Sequence, residues 1–190
     1  DQFARALPSF SNWVLWNFTD YDDNVIRGGL TPAVPLSHDP NTTLAVTQSN
    51  RLTVVAFNSL ADGTPNVFVR GAAFLGHDFT RPVDPPLPGT SDKLLLSNLG
   101  NGLTGLVKLH STLTATAQDC FPMHGGGCQD GARVLQVDVS AVVDHSPLAL
   151  GYDRTFVGSD VGGYPTHFGV PGVMSNDRGD LVIDYIRAVK

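Results

Sequence analysis

The amino-acid sequence predicts an all-β fold, an antiparallel β-sandwich or β-barrel with long loops. Composition supplies two of the reasons. All eighteen acidic residues are aspartate and only three of the twelve basic residues are lysine, so the chain lacks the strong helix formers that usually cover helix surfaces. Its 20 glycines and 13 prolines, together with many threonines and valines, are typical of strands and turns.

Alternation of apolar and polar residues supplies the third reason. Across residues 103–117 the odd positions are mostly apolar and the even positions mostly polar, which predicts one long strand with an apolar face. After the two cysteines the alternation resumes over residues 135–143. We expect these two strands to pair as an antiparallel hairpin, with residues 119–131 as its long connection.

Other stretches rich in β-branched and aromatic residues are also predicted strands, and Gly- and Asp-containing turn signals separate them. The last of them is compatible with a helix by spacing alone, but its composition favours a strand. No internal repeat or linker is evident, so residues 1–190 are predicted to form a single recognition domain. The additional predicted strands are residues 13–18, 44–48, 52–58, 66–75, 93–96, 148–157 and 181–189.

Three connections rich in Gly, Pro or Asp are unusually long: residues 19–41, 80–92 and 153–179. Structureless loops longer than about twelve residues in a compact domain are usually functional or disordered. Three of them on one β scaffold predict a body that presents binding loops.

Charge and hydropathy exclude several function classes. The net charge of -6 and the pI of 5.3 argue against a nucleic-acid partner, which would need clustered Lys and Arg. The same balance argues against an anionic membrane surface. No run of eighteen apolar residues exists, so membrane insertion is not expected.

The two cysteines, Cys120 and Cys128, enclose seven residues and predict a small disulfide loop. The alternative is a pair of free thiols. An extracellular or virion-surface location is the predicted context, and it favours the disulfide. Such a bond would hold the loop as a rigid projection.

Asp20, Asp22 and Asn24 place side-chain oxygens at the first, third and fifth positions of a calcium-type loop. Val25 and Thr31 then occupy positions where an EF-hand needs Gly and an acidic ligand, so an EF-hand is excluded. A solvated acidic turn without a cofactor is the favoured interpretation, and a different calcium loop is the alternative. The six histidines lack the close spacing of a zinc site, and no metal ligand is predicted.

Catalytic motifs are not evident. The sequence contains no Gly-x-Ser-x-Gly and neither Asp-Thr-Gly nor Asp-Ser-Gly. His124 begins a His-Gly-Gly-Gly segment that matches a lipase oxyanion loop in letters only, and it is interpreted as a loop tip. A glycosidase built on two aspartates stays open, because the separation of carboxyl groups cannot be deduced from sequence spacing. Enzymatic activity is therefore uncertain, and a non-enzymatic role is favoured.

Aromatic residues near the acidic turn suggest sugar binding. Trp13 and Trp16 are three residues apart, and an exposed tryptophan beside Tyr21 would stack on a sugar ring whose hydroxyls the aspartates bind. Packing of both tryptophans in the core is the favoured interpretation, and the exposed stacking residue is the alternative.

Together these features predict a non-enzymatic surface recognition domain that forms a homodimer. A viral capsid spike or protruding domain, attached to a host receptor or glycan, fits the lysine-poor acidic exterior, the long loops and the cysteine loop. Two alternatives stay open: a secreted lectin-like carbohydrate-binding module, with or without calcium, and a secreted Asp-dependent hydrolase. The candidate ligand-binding residues are Asp20, Tyr21, Asp22, Asp23, His124, Tyr164 and His167.

Overall fold

A computed structural model describes residues 18–26, 29–39, 41–59, 65–85, 90–93, 95, 102–123, 127–140, 144–159 and 166–189. Within these ranges the chain forms strands and no helix, so no helix there could cross a membrane. The strands are β1 (Thr31–Pro32), β2 (Val34–Pro35), β3 (Thr42–Gln48), β4 (Arg51–Ser59), β5 (Pro65–Phe74), β6 (Leu103–Leu109), β7 (Thr112–Pro122), β8 (Cys128–Asp138), β9 (Ala149–Phe156), β10 (Thr166–Ser175) and β11 (Leu181–Val189).

Two sheets form a sandwich, which confirms the predicted all-β class. One sheet has the order β1-β3-β4-β5 and the other the order β2-β6-β7-β8-β9. Neighbouring strands are antiparallel, except for a short parallel pairing of β2 with β6. Neither sheet closes into a barrel in the described part of the chain. Apolar side chains of both sheets fill the space between them, including Leu52, Val54, Leu113 and Leu135.

A third layer covers the other face of the five-stranded sheet. Among the described strands, β10 and β11 pair only with each other, and β10 packs across β6, β7 and β8. The eight central residues of β7 are therefore buried on both faces. The tip of this layer also forms one side of a surface groove.

His110 and Ser111 form a two-residue turn between β6 and β7, so the predicted single strand over residues 103–117 is wrong. Leu109 and Thr112 face each other across the turn, and His110 has a φ of 51°. The alternation runs unbroken through this point, and no Gly, Asn or Asp marks the turn. The hairpin changes which positions face the core, from even ones in β6 to odd ones in β7.

The polar face of β7 is an attachment surface for β10. The amide of Gln118 donates from Nε2 to the Phe168 carbonyl at 2.7 Å and accepts from the Val170 N–H at 2.8 Å. Thr116 Oγ1 donates to the Pro171 carbonyl at 3.1 Å. Polar side chains of β7 thereby satisfy backbone groups of β10 that a regular ladder would have paired.

Strand β10 lies inside residues 153–179, so the prediction of a long loop there is wrong. The sequence does not indicate this strand, because its alternation of apolar and polar residues is interrupted by Gly169, Pro171 and Gly172. The pairing of β10 with β11 also shifts register between Gly169 and Gly172, as at a β-bulge.

The hairpin of β7 and β8 is present and carries the predicted disulfide between Cys120 and Cys128, whose Cα atoms lie 5.5 Å apart. The predicted connection was too long. Asp119 and Gly131 are paired strand residues, and the ladder continues to Pro122 and Cys128.

Five of the remaining predicted strands agree with the structure, whereas Phe18, Lys93 and Leu95, the described residues of the other two, belong to no strand. Strands β3, β4, β5, β9 and β11 match the predictions within one or two residues at each end, and β11 is a strand rather than a helix. The predicted loop over residues 19–41 contains the two short strands β1 and β2. The predicted strand at residues 13–18 lies outside the described residues apart from Phe18, and at residues 93–96 only positions 93 and 95 are described.

Candidate functional site: an aromatic and acidic surface

Asp20 organises the turn of residues 20–24 from the inside. The residue is 2% exposed, and its Oδ1 accepts hydrogen bonds from the backbone N–H groups of Asp22 and Asn24, both at 2.9 Å. Its Oδ2 accepts a hydrogen bond from Gln48 Nε2 at 2.9 Å, which fastens the turn to the end of β3. Aspartate stabilises turns in this way because its short side chain can replace regular backbone partners.

The same hydrogen bonds bear on the calcium alternative. Burial raises the pKa of Asp20, but the bonds from Gln48 and the turn backbone, with the charge of Arg51, hold it below its ordinary value. Both carboxylate oxygens already accept hydrogen bonds from protein groups, which calcium would have to displace. Among the described residues, no group of three His, Cys or Asp side chains is placed to hold a metal ion.

Two arginines fix the exposed carboxylates of the turn. Arg51 Nη1 lies 2.6 Å from Asp22 Oδ2, and Arg70 Nη1 lies 2.7 Å from Asp23 Oδ1. Arg51 begins β4 and Arg70 lies in β5, so both arginines belong to the four-stranded sheet. The side chains of Asp22 and Asp23 nevertheless remain 50% and 65% exposed. The sheet thus holds them in place without burying them.

Arg70 also joins this turn to the segment that follows β8. Its Nε lies 3.1 Å from Asp144 Oδ1 and its Nη2 lies 2.6 Å from Asp144 Oδ2. These bonds hold the pKa of Asp144 below its ordinary value and raise the pKa of Arg70. The next residue, His145, places its Nε2 3.0 Å from Asp23 Oδ1. Three distant parts of the chain therefore meet at one ion-paired cluster.

Two aromatic rings lie beside those carboxylates. The ring centroids of Tyr21 and Phe74 are 6.0 Å apart with an interplanar angle of 84°, an edge-to-face arrangement. The Tyr21 ring also lies 6.2 Å from the His145 ring. Phe74 ends β5 and is 49% exposed. We name Tyr21, Asp22, Asp23, Phe74 and His145 the aromatic–acidic surface.

The structure thus brings together Asp20, Tyr21, Asp22 and Asp23 among the predicted ligand-binding residues. Asp20 supports the surface from within rather than facing solvent. His167 lies in the interior between β8 and β10, where its Nδ1 is 2.9 Å from Asp130 Oδ2. The remaining predicted residues, with both tryptophans, lie outside the described residues: Trp13, Trp16, His124 and Tyr164.

Sequence reasoning missed Phe74, His145 and the arginine that links them to the turn. Phe74 fits the alternation of a buried strand, so nothing marks it as exposed. His145 bonds to a carboxylate 122 positions away, a separation that local patterns cannot reveal. The only local signal was the pairing of a charged and a titratable residue at Asp144 and His145.

A second ionisable cluster is buried inside the sandwich. Arg133 and Asp119 are both 0% exposed. The Nε and Nη2 atoms of Arg133 each lie 2.8 Å from the Asp153 carboxylate, and its guanidinium stacks 4.4 Å from the centre of the Phe79 ring. Asp119 Oδ2 lies 3.0 Å from Nε2 of His77, whose side chain is half exposed. The cluster pairs buried charges of β7, β8 and β9 and bonds them to the segment that follows β5.

A hydrolase would need a cleft aspartate with a raised pKa. Burial does raise the pKa of Asp130, against the opposing hydrogen bonds from Val83 and His167. Asp130 is however fully buried and bonded to both of those residues. It cannot present its carboxyl to a substrate in this arrangement.

Cavities on the described surface include two small ones and one larger groove. A cavity of about 160 Å³ lies beside the ion pair of Lys108 with Asp39. A cavity of about 120 Å³ is lined by Phe18, Thr19 and Arg70, so it shares an arginine with the cluster behind the aromatic–acidic surface. The groove, of about 400 Å³, lies between the five-stranded sheet and the tip of the β10–β11 hairpin.

Comparisons with protein-family models, curated proteins and solved structures found no match for this chain.

Proposed function

We propose that this chain is a non-enzymatic surface recognition domain that binds a glycan through the aromatic–acidic surface. The observation that carries the proposal is the exposed ring of Phe74, packed edge-to-face with the half-buried ring of Tyr21, beside carboxylates that arginines already hold in place. We further propose that it acts as a viral capsid spike or protruding domain attached to a host receptor or glycan. That assignment rests on architectural analogy.

Sugar recognition needs an apolar plane and well-placed acceptors. A pyranose ring has C–H faces that stack on aromatic side chains, while its hydroxyls donate to carboxylates. The exposed ring of Phe74, held edge-to-face by Tyr21, supplies the apolar plane, and Asp22 and Asp23 supply the acceptors. The ion pairs with Arg51 and Arg70 restrict these carboxylates before the ligand arrives, which lowers the entropic cost of binding.

The two alternative functions receive less support from the same residues. A calcium-dependent lectin would need Asp20 as a ligand, but its oxygens accept hydrogen bonds from the turn and from Gln48. An Asp-dependent hydrolase would need a reactive carboxyl in a cleft, and Asp130, whose pKa is raised, is enclosed by protein. Calcium-independent recognition is therefore the better-supported proposal.

An extracellular or virion-surface location is part of this proposal. The disulfide between Cys120 and Cys128 supports it, because such bonds persist in oxidising environments. The acidic balance of the chain agrees with a partner other than nucleic acid.

The proposed homodimer is assigned to the outer face of the β10–β11 hairpin. Met174 and Val182 are cross-strand partners and are 72% and 66% exposed, and Ile186 lies on the same face as Val182. Monomeric proteins rarely leave extended apolar patches open to water, and homodimers usually bury them around a two-fold axis. Sedimentation should show a dimer that Val182→Lys dissociates and that Val34→Lys, on the exposed edge strand β2, leaves intact. A monomeric parent protein would contradict the dimer.

A glycan microarray tests the recognition proposal. The parent protein should bind a restricted set of glycans, and Tyr21→Ala should lose that binding because Phe74 loses the ring that packs against it. Tyr152→Ala is the control, since it removes the same side chain from an exposed position in β9 of the other sheet. Equal loss in both variants, or binding unaffected by Tyr21→Ala, would contradict the proposed site.

A further inference from the structure

The groove of about 400 Å³ has the size of a small-ligand site, for which several hundred Å³ is typical. It lies where the β6–β7 turn approaches the turn that joins β10 to β11. It is on the hairpin side of the five-stranded sheet, whereas the aromatic–acidic surface is attached to the four-stranded sheet. The groove is therefore a separate surface, and its chemistry is independent of the proposed glycan site.

The floor of the groove is apolar and its walls are polar. Val107, Leu109 and Leu181 contribute aliphatic carbon, while Thr114 and Gln136 contribute a hydroxyl and an amide. Gln136 Nε2 lies 3.4 Å from Thr114 Oγ1, and its amide oxygen accepts no hydrogen bond from another described residue. An apolar floor with a few oriented polar groups is the usual composition of a site for a small polar molecule.

The charged and titratable groups in the walls are Arg178 and His110, and no described aspartate lines the groove. The guanidinium of Arg178 forms no ion pair with any described residue, whereas Arg51, Arg70 and Arg133 all pair with aspartates. An arginine left without a carboxylate in a chain of net charge -6 is available for an anionic ligand.

Carboxylates close to the groove would repel an anionic ligand. Asp138 faces Thr112 across the ladder, but its Oδ1 is occupied by the Ser140 N–H. Asp180 Oδ2 accepts a hydrogen bond from Asn176 Nδ2 at 2.8 Å within the β10–β11 turn, where Asp177 is also exposed. These exposed charges act through solvent and are screened by salt, whereas a ligand in the groove would contact Arg178 directly.

His110 is fixed at the mouth of the groove by the backbone. Its φ of 51° is a left-handed conformation that is uncommon for residues other than glycine. Its N–H donates to Ser37 Oγ at 3.0 Å, which holds the turn in that conformation. The imidazole is thereby kept beside the groove as a hydrogen-bonding group.

We propose that this groove binds a sugar-sized ligand that carries a carboxylate, of the uronic-acid class. The planar guanidinium of Arg178 matches a carboxylate with two parallel hydrogen bonds. Gln136 and His110 bond to ring hydroxyls, and the C–H face of the sugar lies on Leu109 and Leu181.

Glucuronate and glucose make a matched pair of probes, because they differ only in a carboxylate at the position of a hydroxymethyl group. Each is titrated into the isotope-labelled chain, and backbone amide signals are followed by NMR. Glucuronate should shift the signals of His110, Gln136 and Arg178 at lower concentration than glucose. Arg178→Gln should weaken glucuronate binding roughly ten- to hundredfold, the value of a hydrogen bond to a charged group, and leave glucose binding unchanged.

Arg187→Gln is the control variant, since Arg187 is exposed on β11 of the same hairpin but does not line the groove. It should bind glucuronate as the parent does, and unchanged spectra of both free variants show that each is folded. Three results would overturn the proposal: no shift at the groove with glucuronate, equal shifts with glucose, or undiminished glucuronate binding by Arg178→Gln. Acetate binding as tightly as glucuronate would also overturn it, because the sugar ring would then contribute nothing.

Discussion

Arg70 and Asp144 form a bidentate ion pair, in which Arg70 Nε lies 3.1 Å from Asp144 Oδ1 and Arg70 Nη2 lies 2.6 Å from Asp144 Oδ2. The pair fastens the segment after β8 to β5 and leaves Arg70 Nη1 to hold Asp23. Asp144 is therefore a positioning residue for the aromatic–acidic surface: it orients the arginine that orients an exposed carboxylate.

The first prediction concerns Asp144→Asn. Because the pair is partly exposed, the substitution should lower the free energy of unfolding by only about 1 kcal/mol at neutral pH. The substitution should also lower the glycan affinity, and this loss should exceed the loss of stability, because Arg70 is no longer oriented by the Asp144 carboxylate. Asp92→Asn, at an exposed aspartate without an ion pair among the described residues and outside both proposed surfaces, should change neither quantity. Chemical denaturation and glycan titration measure the two effects.

Acid stability gives a second measurement on the same residue. The folded-state pKa of Asp144 is lowered from 3.8 by Arg70, so its contribution is complete above the pKa of the unfolded chain. The contribution is lost as the pH falls through the lowered folded-state pKa. Below about pH 4 the parent should therefore lose stability more steeply than Asp144→Asn. If the free energy of unfolding fell equally steeply with decreasing pH in both proteins, the assigned ion pair would be contradicted.

The second prediction concerns Asp20 and calcium. Removing its carboxylate in Asp20→Ala leaves the N–H groups of Asp22 and Asn24 without their acceptor. The cost should be about 1–3 kcal/mol, with loss of glycan binding as the turn loosens. The melting temperature of the parent should be the same in calcium and in EDTA. A calcium-dependent rise that Asp20→Ala abolishes would restore the calcium-lectin alternative.

The third prediction concerns Gln118, which bonds the Phe168 carbonyl and the Val170 N–H of β10. Gln118→Met keeps the side-chain volume but leaves both backbone groups unsatisfied in a buried place. Unfolding free energy should fall by about 2–4 kcal/mol. Gln136→Met is the matched control, because Gln136 is half-buried and makes one long bond of 3.4 Å, and it should cost under about 1 kcal/mol.

The fourth prediction concerns the disulfide. Cys120→Ser opens a closed loop of nine residues, and the chain-entropy estimate for such a loop is roughly 2–3 kcal/mol. The melting temperature of the variant should fall, and chemical reduction of the parent should lower its melting temperature to the same extent. Free thiols in the untreated parent, together with unchanged melting of the variant, would refute the bond.

The all-β class, most strand positions and the cysteine pairing could be predicted from the sequence, because each depends on a local pattern of residues. The β6–β7 turn could not, since His110 and Ser111 are not the residues that usually mark a two-residue turn. Strand β10 was missed for a related reason: its backbone is held by side chains such as Gln118 from another layer, so it needs no alternation of its own.

The candidate site was only partly predictable. Asp20, Tyr21, Asp22 and Asp23 are adjacent in the chain, and their grouping followed from that adjacency. The burial of Asp20 depends on its bond to Gln48, and His145 reaches the turn only through the folding of the sandwich. Long-range contacts of this kind leave no local signal in a single sequence.

The most direct measurement is to map a glycan selected on the array onto the isotope-labelled domain by NMR. The largest shifts in backbone amide signals should fall on residues 21–23, Phe74 and His145, and Tyr21→Ala should remove them. The proposed recognition site would be contradicted by shifts confined to other parts of the molecule, such as the groove at Arg178, with the signals of the aromatic–acidic surface unmoved.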